Sequence, residues 1–152
     1  SPNIEIFDPK SSLLAGPWGI EIARKVKGCN YHEWEAPEEA KVYWHLKYRL
    51  EALVELQRLV EGTMNKETFE KVTVPTYLGY YYKNEKEQDD VVSVAAMLEM
   101  YEDLGSAKKM KVALPNVGVH ALANKYFSKD LESVRESTFQ FLQENLGIQP
   151  LD

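Results

Sequence analysis

Two residues with reactive side chains each follow a strand-like segment of this chain. Asp89 comes after the β-branched and aromatic run Thr76–Tyr82, and His120 comes after the stretch that begins at Lys109. Adjacent parallel strands end at the same edge of a sheet, which is where ligands bind in open α/β folds. A carboxylate there can accept the Nδ1 proton of the imidazole, set its tautomer and stabilise the imidazolium. The spacing therefore predicts an acid–histidine pair that serves a nucleophile.

The chain shows no nucleophile that could complete this pair. An acid followed by a histidine, each at a strand end, matches the last two members of a triad whose chain order is nucleophile, acid, histidine. We therefore expect the nucleophile to lie upstream of Ser1. The chain begins at Ser1 without a methionine and at once enters a strand-like fragment, Asn3–Phe7. Processing, cleavage, a purification remnant or methionine removal would each produce such a start.

Composition argues against several classes of partner. The 152 residues, of which 44% are hydrophobic, suffice for a single domain, one that buries roughly 68–70% of its unfolded surface. The 18 Lys and Arg against 24 Asp and Glu give a net charge of −6, which disfavours nucleic acid and anionic membranes as partners. Cys29 is the only cysteine, so an internal disulfide and a multi-cysteine metal site are excluded, and a reducing, cytoplasmic compartment is favoured. No apolar run reaches the ~18 residues of a membrane span.

The first half of the chain is predicted to be mainly helical. A short helix from about Leu14 ends at Gly28, and the next segment, GCNYHEWEAPEE, is predicted to be a loop because it has no hydrophobic period. A long helix is predicted over Glu38–Glu61, ended by Gly62. Its apolar residues recur every three or four positions, at Val42, Leu46, Leu50, Leu53, Leu56 and Val60. Such a helix, on the order of 35 Å long, is typical of an inserted cap.

The second half is predicted to alternate strands and helices. The Thr76–Tyr82 strand leads through the solvated loop KNEKEQDD to a helix capped by Ser93 and ended by Gly105. A second strand, in which lysines alternate with apolar residues from Lys109 on, precedes a helix capped by Ser128. Such a unit has parallel strands but too few of them. We expect its strand edge to be covered by a missing N-terminal half of the same protein or by a second copy of the chain.

Both strand-end loops resemble the same enzyme family. The stretch KVTVPTYLGYYYKNEKEQDDVVSV is similar to the α/β-hydrolase segment in which a strand that begins near Val-Pro leads through Gly to an acid shortly before a Val-Val pair. The stretch KMKVALPNVGVHALAN resembles the family's last strand and the loop that presents its catalytic histidine, and SPNIEIFD resembles the exit from an earlier strand. The resemblance covers nearly all of this chain but only the back part of the family's fold.

The resemblance implies an α/β fold class, namely the C-terminal part of an α/β-hydrolase fold with few parallel strands, flanking helices and a helical cap. Residues 1–10 would form the end of a core strand and a turn, residues 11–70 the cap, and residues 71–152 the core with the acid and histidine loops. It implies an esterase or related acyl hydrolase that acts on a small acyl substrate without cofactor or metal. His120 would be the general base and then the acid, and Asp89 would orient it.

The chain departs from the family pattern in two respects. The loop from Gly79 to the acid is longer than usual, so three other acids also fit its place, namely Glu85, Glu87 and Asp90. Asp89 is favoured because one turn residue separates it from the Val-Val pair. The Gly-x-Ser-x-Gly nucleophile elbow and the oxyanion-hole loop are absent from the sequence, so the chain alone is expected to be inactive, and the nucleophile could be Ser, Asp or Cys.

Other groups admit both a functional and a structural interpretation. Four aromatic residues could line a substrate pocket or be buried between cap and core, namely Tyr31, Trp34, Tyr43 and Trp44. His32, Glu33 and Glu35 suggest a metal site, but their pattern lacks the second histidine of the zinc-protease helix. Cys29 lacks the second glycine of a nucleophile elbow. The competing function is that of a non-catalytic α/β module that self-associates through an exposed sheet edge.

Overall fold

The computed structural model describes residues 1–149, which divide into two units. One combines Ser1–Phe7 with the chain from Asn65 onward and is called the α/β unit. The other, Asp8–Met64, is called the inserted unit because its sequence interrupts the first. Both contain helices and strands, and each sheet within residues 1–149 has two strands. The protein therefore belongs to the mixed α/β class.

The inserted unit is built from helices and one antiparallel strand pair. In chain order its elements are a 3-10 helix at Pro9–Leu14, α1 at Gly19–Lys27, β1 at Tyr31–Glu33, α2 at Glu38–Lys41, β2 at Lys47–Arg49 and α3 at Leu50–Thr63. β1 and β2 pair with His32 opposite Tyr48. α1 ends at Gly28 as predicted, and the φ of 69° at this glycine is the left-handed conformation that side chains with a Cβ avoid.

The prediction of one long helix over Glu38–Glu61 is wrong. The structure divides this stretch into α2, which ends at Lys41, and α3, which begins at Leu50, with β2 between them. The hydrophobic period runs through the break without a core to face, since Val42 is 82% exposed. β2 pairs instead with Tyr31–Glu33, a segment predicted to be loop. The hydrogen bonds of that pairing satisfy the backbone in place of helical ones.

The α/β unit contains the parallel strands that the sequence predicted. Its elements are α4 at Lys66–Glu70, β3 at Thr76–Tyr80, β4 at Tyr82–Asn84, β5 at Glu87–Gln88, α5 at Val94–Asp103, β6 at Lys109–Ala113 and α6 at Leu131–Leu146. β3 and β6 are parallel, in register from Thr76 opposite Lys109 to Tyr80 opposite Ala113. α5 lies between them in sequence, as expected for a strand–helix–strand crossover.

Side-chain caps set the ends of the helices in this unit. Ser93 Oγ accepts a hydrogen bond from a backbone amide in the first turn of α5 at 3.2 Å, so the predicted cap is confirmed. α6 is capped by Asp130 rather than by the predicted Ser128, because the Asp130 carboxylate accepts both the amide and the hydroxyl of Ser133, at 3.1 and 2.7 Å. Gly147 ends α6 as predicted. Within residues 1–149, no helix is both long enough and apolar enough to cross a bilayer.

The segment KNEKEQDD, predicted to be a solvated loop, contains a β-hairpin. β4 and β5 pair antiparallel. Asn84 closes the turn because its Oδ1 accepts the backbone N–H groups of Lys86 and Glu87 at 2.9 and 3.1 Å. The strands are short and carry charged side chains, so no apolar alternation revealed them. The hairpin leads the chain directly to Asp89.

Candidate active site

The acid loop begins where the hairpin ends. The backbone N–H of Asp89 donates to the carbonyl of Tyr81 at 3.0 Å, which holds the acid close to the end of β3. The Asp89 side chain is fully buried, and its Oδ1 accepts the backbone N–H groups of Val91 and Val92 at 3.0 and 2.9 Å. A buried carboxylate requires such donors because removal of its charge from water is costly. The loop is therefore shaped around the ionised acid.

The N-terminal segment Glu5–Phe7 supports the acid loop. Its backbone makes hydrogen bonds with the backbone of Val91 and Ser93 at 2.9 and 2.8 Å, and Ile6 forms an antiparallel bridge with Val92. The strand-like fragment predicted over Asn3–Phe7 forms one isolated bridge, at Ile6, rather than a full strand. Because Val92 is fully buried and its amide also binds the acid, the bridge and the carboxylate are fixed by the same residue.

The histidine loop follows β6 and is anchored by apolar side chains. The amide of Leu114 donates to the carbonyl of Tyr80 at 2.9 Å, so the loop leaves the sheet beside the end of β3. Its buried anchors are Leu114, Val117 and Leu122. Gly118 turns the chain between two of them with a φ of 70°, a conformation that favours glycine. His120 is thus presented between anchored segments rather than on a free loop.

The two loops bring Asp89 and His120 into contact. The distance between Asp89 Oδ2 and His120 Nδ1 is 2.6 Å, a short hydrogen bond. The Asp89 side chain is 0% exposed, whereas the His120 side chain keeps 26% of its surface exposed. An ionised carboxylate can only accept, so Nδ1 must carry the hydrogen. Nε2, across the ring, then has the lone pair.

The other acids that fit the family pattern are engaged elsewhere or exposed. Glu85 and Glu87 are bound within the hairpin, by the Tyr82 hydroxyl and the Lys83 ammonium respectively, each at 2.8 Å. Asp90 is exposed. Among the hydrogen bonds within residues 1–149, none joins any of these three acids to the imidazole. The sequence left four acids partly interchangeable, and the geometry selects Asp89 from among them.

The environment of Asp89 favours its charged form. Burial alone would raise the pKa of Asp89, because it disfavours the ionised carboxylate. The hydrogen bonds from His120 and from the amides of Val92 and Val91 outweigh burial, so the pKa of Asp89 lies below its ordinary value. The acid is consequently ionised at neutral pH, and it can stabilise an imidazolium at the position of His120.

A further side chain, which sequence reasoning did not identify, reaches the acid. Ser1 Oγ lies 3.1 Å from Asp89 Oδ2 and 3.3 Å from Met97 Sδ. The contact joins residues 88 positions apart, and no motif around Ser1 signals it. Because the hydroxyl binds the acid and not the imidazole, it is not arranged as a nucleophile that His120 could deprotonate.

The four aromatic residues predicted to line a pocket lie in the inserted unit. Trp34 and Trp44 form an edge-to-face pair with ring centroids 5.7 Å apart, and Trp34 Nε1 donates to a backbone carbonyl at 3.3 Å. Tyr31 has the Lys47 ammonium 4.9 Å from its ring centroid, and Tyr43 is 71% exposed. The structure thus brings Trp34 and Trp44 into contact. The role of all four aromatic residues in substrate binding stays a prediction.

The remaining candidates from the sequence lie in the same unit. The rings of His32 and Tyr48 are 5.1 Å apart across the β1–β2 pair. Among residues 1–149, no three His, Cys, Asp or Glu side chains are grouped so that they could hold a metal ion. Cys29 is exposed, and its thiol donates to the carbonyl of Tyr31 at 3.0 Å.

Comparison with known proteins bears on the fold. No protein-family model matches the chain, and no curated protein matches it. Among solved structures, the chain is similar to one from the work on LipS and LipT, two metagenome-derived lipolytic enzymes that increase the diversity of known lipase and esterase families. The TM-score is 0.62 at 16% sequence identity, and the match covers 94% of this chain and 52% of the other. The chain thus spans about half the length of that protein and shares the fold of the matched part.

Proposed function

We propose that this chain is the cap and C-terminal part of an α/β-hydrolase that cleaves carboxylic esters or related acyl bonds. His120 is its general base and then its general acid, and Asp89 orients the imidazole. The nucleophile and the oxyanion hole belong to preceding polypeptide. The observation that carries the proposal is the 2.6 Å hydrogen bond between Asp89 and His120, whose loops follow neighbouring parallel strands.

Three further observations support the same function. The likeness to a lipolytic enzyme extends over 94% of this chain but only 52% of the other, so about half of that protein has no counterpart in this chain. The order of acid and histidine along the chain is that of the back half of an α/β-hydrolase triad. The inserted unit interrupts the chain before β3, where the cap of such an enzyme would stand.

The site supports proton transfer through the imidazole. With its Nδ1–H donated to ionised Asp89, His120 accepts at Nε2 the proton of a hydroxyl or thiol nucleophile as that group attacks the acyl carbonyl carbon. The imidazolium then gives this proton to the leaving alcohol as the C–O bond breaks. Water, deprotonated by the same Nε2, then attacks the acyl carbon. The imidazolium returns this proton to the nucleophile as the bond between nucleophile and acyl group breaks, and the carboxylic acid is released. Asp89 stays ionised throughout and stabilises the imidazolium.

The direct test is ester hydrolysis by the full-length product of the gene that contains this chain. Hydrolysis of p-nitrophenyl acyl esters is measured for the wild type and for the substitutions His120→Ala and Asp89→Asn. Each substitution is expected to lower kcat by about 10²–10⁴-fold, because each removes part of the general acid–base step. Asp90→Asn is the matched control, since it makes the same charge change at the next, exposed residue and should leave kcat unchanged.

Two results would count against this function. Equal hydrolysis by the wild type and the His120→Ala protein would remove His120 from the mechanism. A full-length product with no Ser, Cys or Asp on a nucleophile elbow before Ser1 would remove the partner that the pair requires.

A second candidate is a non-catalytic α/β module that binds a second copy of itself. It is favoured by the two-stranded sheet of β3 and β6, whose outer edges pair with no other strand within residues 1–149. Parallel sheets normally have more strands, and free edges invite association. Mass measurement of the native protein separates the candidates. A stable homodimer without hydrolytic activity favours the module, whereas a polypeptide with an elbow favours the enzyme.

A further inference from the structure

The Asp89 carboxylate makes four close polar contacts, and the acid–histidine pair explains only three. Oδ1 takes the two backbone amides that shape the loop. Oδ2 is shared between His120 Nδ1 at 2.6 Å and Ser1 Oγ at 3.1 Å. The oxygen that faces the imidazole is therefore also the one that a hydroxyl contacts. The amino terminus of Ser1 also attracts Asp89 by its charge, a contribution that is absent when this nitrogen belongs to a peptide bond in the full-length product.

The Ser1 hydroxyl has one hydrogen to donate and two neighbours that could accept it. Met97 Sδ, at 3.3 Å, is a thioether and a weak acceptor, whereas Asp89 Oδ2, at 3.1 Å, belongs to an ionised group. A hydrogen bond to an ionised acceptor is roughly twice as strong as a neutral one. The hydrogen consequently goes to Asp89. Met97 is fully buried, so its thioether is held in place beside the Ser1 hydroxyl.

We propose that Ser1 is a positioning residue that acts on His120 through Asp89, an inference that rests on the proposed hydrolytic function. A hydrogen bond donated to Oδ2 withdraws negative charge from the oxygen that binds the imidazole. The hydrogen bond from Ser1 thereby reduces the electrostatic stabilisation that Asp89 gives to an imidazolium at His120. Ser1 sets how strongly the pair attracts a proton, and through it the pH range in which the pair can act as a base.

The test uses the full-length gene product and three substitutions. Ser1→Ala removes the hydroxyl, Ser1→Thr keeps it, and Ser12→Ala is a matched control because Ser12 Oγ donates to the carbonyl of Pro9 in the inserted unit. One readout is the pH profile of kcat/KM for p-nitrophenyl esters. The other is the proton resonance of the Nδ1–H to Oδ2 hydrogen bond, followed in protein with labelled histidine. This resonance does not depend on hydrolysis.

With Ser1→Ala, all the charge of Oδ2 becomes available to the imidazole. The acidic limb of the kcat/KM profile is expected to move to higher pH by about half a unit, and the Nδ1–H resonance is expected to move downfield. Ser1→Thr and Ser12→Ala should match the wild type in both readouts. Thermal unfolding of each variant shows whether it is folded, and Ser1→Gly, which also lacks the hydroxyl, takes the place of Ser1→Ala if that variant does not fold.

The outcomes separate this inference from the proposed function. An unmoved resonance and an unmoved acidic limb in folded Ser1→Ala overturn the inference, as does a lower kcat/KM at every pH without a shift of the limb, which is the result of a merely structural role. A resonance that moves in a protein without hydrolytic activity upholds the contact between Ser1 and the pair while the proposed function fails. Hydrolysis that depends on His120 but does not change with Ser1→Ala supports the proposed function and overturns the inference about Ser1.

Discussion

Four acids lie between Glu85 and Asp90, and the donors around each decide what it can do. Asp89 is enclosed by backbone amides, an imidazole and a hydroxyl, whereas the side chains of Glu85 and Glu87 bind within the hairpin. The sequence favoured Asp89 because of its distance from the Val-Val pair. The physical reason is that the amides of this pair fold back onto the carboxylate, so a spacing in sequence becomes a set of hydrogen bonds.

The lowered pKa of Asp89 makes a prediction about stability. A carboxylate whose pKa is lower in the folded than in the unfolded state adds stability above its unfolded pKa, and that stability is lost as the pH falls through its folded pKa. The unfolding free energy of the wild type should therefore exceed that of Asp89→Asn at neutral pH by about 1–3 kcal/mol. The difference should shrink as the pH falls below about 4. Urea unfolding at a series of pH values measures it.

Asp90→Asn provides the comparison for this series. Its side chain is exposed, so its unfolding free energy should follow that of the wild type at every pH. A difference between the wild type and Asp89→Asn that stayed constant down to the acid-unfolded state would contradict the assigned charge state of the acid.

At the scale of elements, two glycines at predicted helix ends serve different purposes. Gly62 was predicted to end a helix but lies within α3, which continues to Thr63. Gly105 follows α5 without the positive φ of a glycine cap. Its lack of a side chain matters because an added Cβ would lie 2.1 Å from the carbonyl oxygen of Glu70. Gly105 thus permits a close backbone approach that no local signal could have revealed.

The two glycines make a matched pair of substitutions. Gly105→Ala should lower the free energy of unfolding by about 1–3 kcal/mol, because backbone must shift to relieve the clash with Glu70. Gly62→Ala should raise it by about 0.5–1 kcal/mol, because no atom lies within 4 Å of an added Cβ and alanine loses less entropy in a helix. Urea unfolding of the two variants tests both signs. A stabilised Gly105→Ala protein would contradict the close approach.

Lys109 connects β6 to the end of α5. Its Nζ donates to the carbonyl oxygens of Tyr101, Glu102 and Leu104 at 2.7, 3.1 and 3.3 Å, which are groups that a helix C-terminus leaves unpaired. The ammonium also lies where the helix dipole favours positive charge. Lys109 therefore joins the strand that precedes the histidine loop to the crossover helix.

Replacement of this lysine should weaken the crossover unit. Lys109→Met keeps the apolar stem but removes the donors, and it should lower the free energy of unfolding by about 1–2 kcal/mol. Lys86→Met, at an exposed turn residue, removes the same charge and should have almost no effect. Equal unfolding free energies for the two variants in urea would show that the three carbonyl contacts contribute nothing.

At the scale of the whole molecule, the sheet of β3 and β6 has two strand edges that are unpaired within residues 1–149. β3 and β6 pair with each other, and within residues 1–149 neither has a second neighbour. The amide of Thr76 donates to Lys108 in the β6 direction, so alternation along the strand turns the amides of Tyr77 and Gly79 toward the other edge of β3. These are the groups that a preceding strand, or a second copy, would bind.

Hydrogen exchange at this edge measures whether it is paired. The amides of Tyr77 and Gly79 should exchange faster in the 152-residue chain than in the full-length gene product, because an additional strand would protect them. The amide of Leu114, which donates to Tyr80 within the existing strand pair, should show no such difference and serves as the control. Equal exchange at all three amides in both proteins would argue against a strand at this edge.

Several features of the fold were predictable from the sequence because their signals are local. The parallel strands β3 and β6, the cap at Ser93 and the end of α6 at Gly147 each depend on a few consecutive residues. Predictions failed where local signals pointed the wrong way. The helical period through Val42 lost to the pairing of β2 with β1, and the hairpin before Asp89 carries no apolar alternation.

By itself, the sequence determined that an acid and a histidine follow two strands in the order of a triad's last members. Tertiary structure alone decided which acid meets His120, that the Ser1 hydroxyl contacts the same carboxylate oxygen, and that Gly105 admits a neighbouring backbone. The physical reason is that hydrogen bonds and steric contacts depend on distance in space. Parallel strand pairing brings distant residues together in ways that the local pattern around each does not encode.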